Sequence, residues 1–403
     1  MESRATPLNA QVEPRSREIG RLIVGVGIGW MMLGMVIMPA GVSFNPGKAY
    51  QTSLIVLLYL PALILAFSQR ARVWRQLWPL PAFRIFLLLL AWAAVSLAWG
   101  KLPRPGDEAG RLLSVLAFVL GWHAFAADEA TRIRTLLLGV GLAIAACAAF
   151  YCVTFAITPV SDGRIIGEGT IATANYAAAL MGVVALWLSQ LDLAGRQASA
   201  LRYIAMAVLL VFVAFTHTRN VWLALCVTLV AMPLWRPGRG FRWLAVVVLG
   251  MVALAMVWRP VLVMERGTSL RPELFAQSMH LIAQHPWLGL GQGAPFTLMV
   301  NGAAYTHTHN LLTQMTVELG VPGLLLTVAL WLLVAWQGWR HRAQMQGRIV
   351  LALWVYASVV LQFDMPQMLD SPRPAWLLVW LPFALTLGLA WRERSLGQAT
   401  PIH

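Results

Sequence analysis

The stretch LLLGVGLAIAACAAFYCVTFAI, residues 136–157, contains no charged side chain. A helix needs about 20 mostly apolar residues to cross a bilayer, because every backbone amide must be bonded within the segment where no water is present. The stretch therefore predicts a transmembrane helix. The whole chain of 403 residues is 59% hydrophobic and only 11% charged. Soluble domains carry about 25% charged residues, so we expect an integral membrane protein with an all-α fold.

Comparable apolar segments recur throughout the sequence and predict about twelve transmembrane helices. They span residues 22–40, 52–67, 85–99, 112–126, 136–157, 171–189, 203–215, 221–235, 243–258, 311–336, 350–363 and 375–391. Most connections are short, which predicts a single integral membrane domain over residues 1–403. The exception is the connection at 258–309, which is long enough to need a structure of its own.

The distribution of basic residues predicts the orientation of the helices. With a cytoplasmic N-terminus, about two thirds of the 30 lysines and arginines fall on the cytoplasmic side, as the positive-inside rule requires. Both termini are then cytoplasmic, and the polar segment before Leu22 is too long and too acidic to begin a cleaved signal peptide. The net charge of +14 is dispersed among loops, so we do not expect nucleic acid as a partner. The three cysteines fall inside predicted helices and indicate no disulfide or metal site.

The long connection contains two recognisable parts. RPELFAQSMHLIAQHPW, residues 271–287, has apolar residues at roughly helical spacing and predicts an amphipathic helix at the membrane surface. WLGLGQGAPF, residues 287–296, brings three glycines together, which permits a tight turn or the close approach of a ligand. No βαβ unit surrounds these glycines, so they are not a dinucleotide-binding fingerprint.

Polar side chains gather where the tenth apolar segment begins, in THTHNLLTQMTVELGVPG at residues 306–323. Imidazole titrates at about pH 6.5 when unperturbed, so His309 could act as a general base, although a histidine at a helix start is more often structural. Asn310 follows it, where free backbone amides favour anions. A metal at His307 and His309 is disfavoured, because residues two apart do not share a helical face, and we expect no metal. Glu318 should face the bundle and bond to a neighbour.

Arginines on the predicted external side indicate an anionic ligand. They are Arg164, Arg219, Arg259, Arg266, Arg271 and Arg373. The planar guanidinium group offers paired donors that match phosphate oxygens, and it stays protonated at physiological pH. A diphosphate at the level of the lipid headgroups would suit them. For each arginine, binding of lipid phosphate or capping of a helix is the alternative.

One motif of the chain resembles the signature of the O-antigen ligase family, which belongs to a larger group with O-antigen polymerases and bacterial protein O-oligosaccharyltransferases. The ligase pattern is His, then Asn, Ser or Gln, nine residues, and Gly-x-x-Gly. His309 and Asn310 are followed here by nine residues and then by GVPG at 320–323. Leu324 departs from the pattern, because the family usually continues with Thr, Phe or Tyr.

Three further stretches are similar to other motifs of the group and occur in the same order. GRIIGEGTIATANYAAAL, residues 163–180, aligns Arg164 and Asn175 with an Arg and an Asn of the family. THTRNVWLA, residues 216–224, aligns Arg219, although Thr and Asn flank it where Ser and Gly are usual. SLRPELFAQSMHLIAQHPWLGLGQGAPF, residues 269–296, aligns Arg271. The resemblance spans about residues 160–330, and the first five helices match in hydropathy alone.

This resemblance implies a polytopic glycosyltransferase of the GT-C type in the bacterial inner membrane, with its active site facing the periplasm. It would transfer O-antigen polysaccharide from undecaprenyl diphosphate to a sugar hydroxyl of lipid A-core during lipopolysaccharide biosynthesis, with inversion and without a metal or cofactor. Membrane lipids would surround it. His309 would be the general base, oriented by Asp364 or Asp370. The diphosphate and substrate would be bound by Arg164, Arg219, Arg259, Arg266, Arg271 and Asn310.

Three other functions remain open from the sequence. An O-antigen polymerase would join repeat units on the same carrier, but the match to the ligase motif and the long external loop favour a ligase. A protein O-oligosaccharyltransferase is less favoured, because the sequence has no soluble segment after its last helix. A transporter or flippase of lipid-linked glycans would place polar groups near the membrane midplane, whereas here they gather at one predicted face.

Overall fold

The computed structural model describes residues 15–41, 45–126, 129–158, 163–258 and 270–399. The helices, in chain order, are α1 (Arg15–Ile37), α2 (Lys48–Leu54), α3 (Leu60–Ser68), α4 (Arg70–Leu77), α5 (Pro81–Ser96), α6 (Pro105–Ala126), α7 (Ala130–Ile157), α8 (Ala174–Gln190), α9 (Arg196–Phe215), α10 (Arg219–Ala231), α11 (Arg239–Trp258), α12 (Arg271–Gln284), α13 (Leu311–Arg340), α14 (Met345–Val360) and α15 (Pro374–Ala399). A π-helical turn at Ile55–Tyr59 joins α2 to α3, and a hairpin of two strands, β1 (Leu298–Val300) and β2 (Ala303–Tyr305), precedes α13.

Each predicted apolar segment coincides with a helix, which confirms the helical, polytopic fold. Among the described residues, seven helical spans are long and apolar enough to cross a membrane. The count rises to eight if α4 and α5, which meet at a 108° bend, form one broken span. Helices α10 and α14 are apolar but shorter. The total of about twelve crossings therefore stays a prediction.

The outer surface of the bundle is apolar, as lipid contact requires. Large side chains such as Phe67, Phe150, Trp243 and Met251 are more than half exposed. In water such a surface would be an aggregation liability, whereas in a bilayer it is the expected exterior. The composition and the surface together identify a multi-pass membrane protein.

The centre of the bundle consists of α8 and α15, which are apolar on all sides and almost fully buried. Helix α8 packs against α7, α9, α14 and α15. Small residues allow this close packing, since Gly182 faces the ring of Tyr356 on α14 so closely that a Cβ atom there would collide with the hydroxyl group. This centre holds the ends of α8, α14 and α15 together.

The amphipathic helix predicted at 271–287 is present as α12. Leu274 on its inner side packs against Leu298 and Val300 of β1. Phe275 and Met279 are about half exposed. An outward apolar stripe on a short surface helix suits the predicted position at the membrane interface.

The β1–β2 hairpin was not predicted. Its strands are only three residues long, which gives too few positions for a recognisable alternation. The turn, however, is Asn301-Gly302, and both residues have positive φ angles, of 50° and 79°. Asn-Gly at a two-residue turn is a strong hairpin signal, and it was overlooked in the sequence.

Helix α13 is broken at Gly320, where φ is 65° and ψ is −168°. This backbone region is essentially restricted to glycine. A Cβ atom would also collide with the carbonyl group of Trp287. The carbonyl oxygen of Leu319, which the break removes from the helical ladder, accepts a hydrogen bond from Trp92 Nε1 at 2.8 Å. The helix therefore breaks at Gly320, two residues before Pro322.

The segment 286–291 satisfies the other backbone groups at this break. Leu290 N–H donates to the carbonyl of Val317 at 2.8 Å, and Gly291 N–H donates to that of Glu318 at 2.8 Å. Val321 N–H in turn donates to the carbonyl of Pro286, also at 2.8 Å. The glycine-rich stretch that resembles a family motif thus holds the external segment against α13. The glycine-rich stretch at 287–296 and the break at Gly320 therefore belong to one contact.

Candidate active site

His309 and Asp364 form a pair at one end of the bundle. His309 immediately precedes Asn310 and α13, and Asp364 follows α14. Nδ1 of His309 lies 3.2 Å from Oδ1 of Asp364. An ionised carboxylate can only accept, so Nδ1–H donates and Nε2 is left as the proton acceptor. The pair therefore has the arrangement of a general base with an orienting carboxylate.

The environment of Asp364 keeps it ionised. Asp364 is 5% exposed, and Asn175 Nδ2 donates to its Oδ2 at 2.7 Å. The backbone N–H of Met365 donates to Oδ1 at 2.9 Å. Burial by itself would raise the pKa of this carboxyl, but the hydrogen bonds from His309, Asn175 and Met365 outweigh it, and the pKa of Asp364 lies below its ordinary value.

The backbone is strained on both sides of this pair. His309 has φ of 55° and Met365, next to Asp364, has φ of 58°. A non-glycine residue in this left-handed backbone conformation costs roughly 1–3 kcal/mol, and the conformation persists where the surroundings enforce it. The surroundings here include a 2.8 Å hydrogen bond from Leu311 N–H to the carbonyl of Leu361, which ties the start of α13 to the end of α14. Such enforced strain is typical of functional sites.

His307 lies against the same pair. Its ring centroid is 4.0 Å from that of His309. Burial, assisted by His309, lowers the pKa of His307 to about 4, so it is neutral at physiological pH. Ligating atoms of His307, His309 and Asp364 all lie within 4.8 Å of one another. Both histidines lie in the loop before α13, so the argument from helical spacing against a metal does not apply to them, and this donor set would suit zinc.

Arg271 approaches the pair from the start of α12. Its Nε–H donates to the carbonyl of Phe363 at 2.8 Å, next to Asp364. Burial lowers the pKa of Arg271, Asp364 opposes this effect, and Arg219 adds to it. The guanidinium group stays protonated at physiological pH. Arg271 thus lies within electrostatic reach of both Asp364 and Arg219, which come from different parts of the chain.

Arg219 is the first residue of α10, and Arg164 supports the connection that precedes it. Arg164 Nε–H donates to the carbonyl of Thr216 at 2.8 Å, and its Nη2 is 3.3 Å from Thr218 Oγ1. The Thr218 hydroxyl also lies 3.3 Å from the carbonyl of Ala174, beside Asn175. The structure therefore brings Arg164, Arg219 and Arg271 to the end of the bundle that carries His309.

Two predicted arginines cannot be placed, and one predicted residue has a different role. Arg259 and Arg266 lie outside the described residues.

The Asn310 side chain caps α13, because its Oδ1 accepts from Thr313 N–H at 3.0 Å and its Nδ2 donates to Gln362 Oε1 at 2.8 Å. Both ends of this carboxamide are used within the protein. Asn310 is therefore a helix cap, contrary to the predicted contact with the substrate.

Asp370 does not orient His309. Its Oδ1 is 3.1 Å from Nε of Arg111, and its Oδ2 is 2.9 Å from Nη2 of Arg373. The contact with His309 belongs to Asp364 instead. Of the two acids that the sequence offered as partners of His309, Asp364 is the one in contact with it.

Two comparisons show which known proteins the chain is similar to. Residues 204–328 match the family described as O-Antigen ligase. The chain is also 27% identical over 357 residues to an O-antigen ligase of Pseudomonas aeruginosa, with 86% of each chain covered.

The chain is similar to the O-antigen ligases.

The part of the chain that matches the O-antigen ligase family includes Arg219, Arg271 and His309 but ends before Asp364. The orienting carboxylate therefore joins the site from outside the matched region, across 55 residues of sequence. Asn175 and Arg164 come from before it. The site is therefore assembled from the region similar to the O-antigen ligases and from its flanks together.

A cavity of about 170 Å³, which the sequence did not predict, lies at the same end of the bundle. We call it the polar cavity; among the residues lining it are Glu108, Arg111, Gln292, Phe296, Thr306, Gln314, Glu318 and Asp370. Gln314 Nε2 donates to Glu318 Oε1 at 2.8 Å, which confirms that Glu318 bonds to a neighbour. A signal was available in Glu108, a carboxyl group in the first turn of the predominantly apolar helix α6.

Proposed function

We propose that this protein transfers an O-antigen glycan from undecaprenyl diphosphate to a sugar hydroxyl of lipid A-core. The observation that carries the proposal is the pair of His309 and Asp364, which leaves Nε2 as a proton acceptor close to two arginines. The match of residues 204–328 to the O-antigen ligase family supports it, as does the name of the similar protein from Pseudomonas aeruginosa.

In the proposed mechanism, Nε2 of His309 takes the proton of the acceptor hydroxyl while Asp364 stabilises the resulting imidazolium. The acceptor oxygen forms a bond to the anomeric carbon of the glycan from the face opposite the diphosphate. The bond from that carbon to the phosphate oxygen breaks, so the anomeric configuration inverts. Arg219 and Arg271, with Arg164 behind them, stabilise the charge that collects on the departing undecaprenyl diphosphate.

We propose a GT-C-type architecture of about twelve spans forming one domain, with the connection 258–309 and the site on the periplasmic side of the inner membrane. Both termini are then cytoplasmic. The opposite end of the bundle supports this orientation, since basic residues collect there. Arg236 Nη1 donates to the carbonyl of Ser189 at 2.7 Å, and Arg348 pairs with Asp192 at 2.6 Å.

We propose that the reaction needs no metal or cofactor, because His309 supplies the base and the arginines supply positive charge for the leaving group. A divalent metal bound by His307, His309 and Asp364 would use the imidazole of His309 as a ligand and so compete with its role as a base. Transfer should therefore persist in a chelator. Loss of transfer in chelator, with recovery on addition of zinc, would reverse this part of the proposal.

The test is transfer by purified protein reconstituted with undecaprenyl diphosphate O-antigen and lipid A-core. We expect glycan attached to lipid A-core, resolved by gel and by mass. His309→Ala should lower the rate by about 10² to 10⁴, the usual contribution of a positioned acid or base. His280→Ala, on the exposed side of α12, is the matched control and should transfer normally.

Two outcomes would contradict the proposal. Full transfer by folded His309→Ala would remove the general base from the mechanism. Longer glycan that remains on undecaprenyl diphosphate, with none on lipid A-core, would make the protein a polymerase. Both outcomes are read from the same gel.

A further inference from the structure

We propose that the polar cavity binds one pyranose ring of the acceptor and so presents its hydroxyl group to His309. This inference rests on the proposed function and assigns the acceptor subsite within it. The volume of about 170 Å³ has room for a single sugar ring. The walls offer carboxyl and carboxamide groups, which together accept from and donate to hydroxyls, and the ring of Phe296 offers an apolar face to sugar C–H groups.

Gln292 supplies the first specific indication of a ligand. Its side chain is 4% exposed and lines the polar cavity. Within the described part of the chain, its side-chain oxygen has no hydrogen-bond partner. The backbone N–H of Gln292 donates to Ser96 Oγ at 2.9 Å, which fixes the residue in place. Buried acceptors are almost always bonded in native proteins, and a sugar hydroxyl would supply the missing donor.

The polar cavity shares a wall with the loop that carries His309. Thr306 and Gln314 both line the cavity, and Oε1 of Gln314 accepts from Thr308 N–H at 3.0 Å. Arg373 connects the two regions from another side, because it pairs with Asp370 and acts electrostatically on His307. A ring held in the cavity is therefore close to the proposed base.

Charge distinguishes an acceptor ring from a donor ring. The cavity includes Glu108 and Asp370, which are both paired with Arg111, at 2.5 Å and 3.1 Å. Glu318 is a third carboxyl group in the lining, and Arg373 pairs with Asp370 as well, so the lining has no excess of positive charge that would attract a diphosphate. The first sugar of the donor is bonded directly to the diphosphate, which Arg219 and Arg271 should hold. The polar cavity is thus left for the neutral ring of the acceptor.

The test is steady-state transfer by Gln292→Ala with acceptor and donor varied in turn. Loss of one neutral hydrogen bond should raise the KM for lipid A-core about 3- to 10-fold and leave the KM for the donor unchanged. Glu108→Gln, which keeps the side-chain size, should act in the same direction. Gln284→Ala removes a carboxamide from the exposed side of α12 and is the matched control.

A binding measurement separates this inference from the proposed function. Core oligosaccharide, freed of lipid A, is titrated into the full-length protein in nanodiscs. We expect binding that weakens in Gln292→Ala, persists in Gln284→Ala, and does not require transfer. A wild-type protein that binds core oligosaccharide but transfers nothing would refute the proposed function alone. Unchanged binding and unchanged acceptor KM in Gln292→Ala, or a rise in donor KM instead, would overturn the acceptor subsite.

Discussion

Replacement of Asp364 by asparagine tests whether the charge of this side chain, and not only its shape, is needed for transfer. In the structure, Oδ1 accepts from His309 and from the N–H of Met365, while Oδ2 accepts from Asn175. An amide nitrogen in either position would face a donor. The substitution therefore removes the charge and also disturbs the orientation of the imidazole.

The magnitude follows from the 3.2 Å separation of His309 Nδ1 and Asp364 Oδ1. Coulomb's law gives about 1 kcal/mol of imidazolium stabilisation in bulk water and about 5 kcal/mol at an effective dielectric constant of about 20. Each 1.36 kcal/mol changes a rate about tenfold. Asp364 is 5% exposed and the His309 side chain 23% exposed, which places the pair between these limits. We expect the rate of Asp364→Asn to fall by about 10² to 10³.

The assay is single-turnover transfer to lipid A-core by purified protein over a range of pH. A lost carboxylate makes the imidazolium less stable, so the acid limb of the pH–rate profile should move to lower pH. The matched control is Asp192→Asn. That carboxylate pairs with Arg348 at 2.6 Å at the opposite end of the bundle, and its side chain is 60% exposed. We expect wild-type transfer from this control.

A folded Asp364→Asn protein with the wild-type rate and an unmoved pH profile would refute the role of Asp364. A rate that falls only in proportion to the loss of folded protein would do the same, because a purely structural carboxylate has that effect. Thermal unfolding of each preparation distinguishes the two cases.

Three more perturbations test other parts of the site. Arg271→Lys keeps the charge but loses the paired donors, so the donor KM should rise about tenfold, and an unchanged donor KM would count against diphosphate binding. The pKa of His307 is about 6.5 in the unfolded chain and about 4 in the folded protein. Acidification from pH 6.5 to about 4 should therefore destabilise the wild type, by at most about 3 kcal/mol. His307→Gln should lose this part of the dependence of the melting temperature on pH, and identical curves would contradict the argument. Gly320→Ala should cost more than about 2 kcal/mol, because it adds a collision with Trp287 to a glycine-only backbone conformation. Gly139→Ala, with open space around it in α7, should leave the melting temperature unchanged or raise it.

The positions of the helices were predictable because the bilayer restricts what an apolar segment can do. A segment such as 136–157 has no water to bond its backbone, so it must be helical, and α7 (Ala130–Ile157) includes it completely. The amphipathic helix α12 was predictable for a related reason, since its apolar spacing needs no knowledge of distant residues.

The pairing of side chains was not predictable in the same way. Asp364 and Asp370 follow the same helix, and nothing in their local sequence separates them. The left-handed conformation at Met365 and the contact with Asn175 place Asp364 against His309, whereas Arg111 and Arg373 bind Asp370. These contacts depend on how α6, α8 and α15 meet.

The glycine-rich segments also show the difference between what the sequence predicts and what only the structure reveals. The three glycines at 287–296 predicted a tight turn or the close approach of a ligand. The sequence did not reveal that this stretch and the break in α13 form one contact, in which segment 286–291 bonds the backbone groups released at Gly320. That contact joins residues about thirty positions apart.

By itself, the sequence determined a helical membrane protein with a histidine and several arginines towards one end, since hydrophobicity and helix length are local properties. Only the tertiary structure decided that Asp364 contacts His309, that Asn310 caps a helix, and that the side-chain oxygen of Gln292 lies in a polar cavity without a partner among the described residues. Hydrogen bonds act over about 3 Å, so they depend on the packing of helices that are distant in the chain.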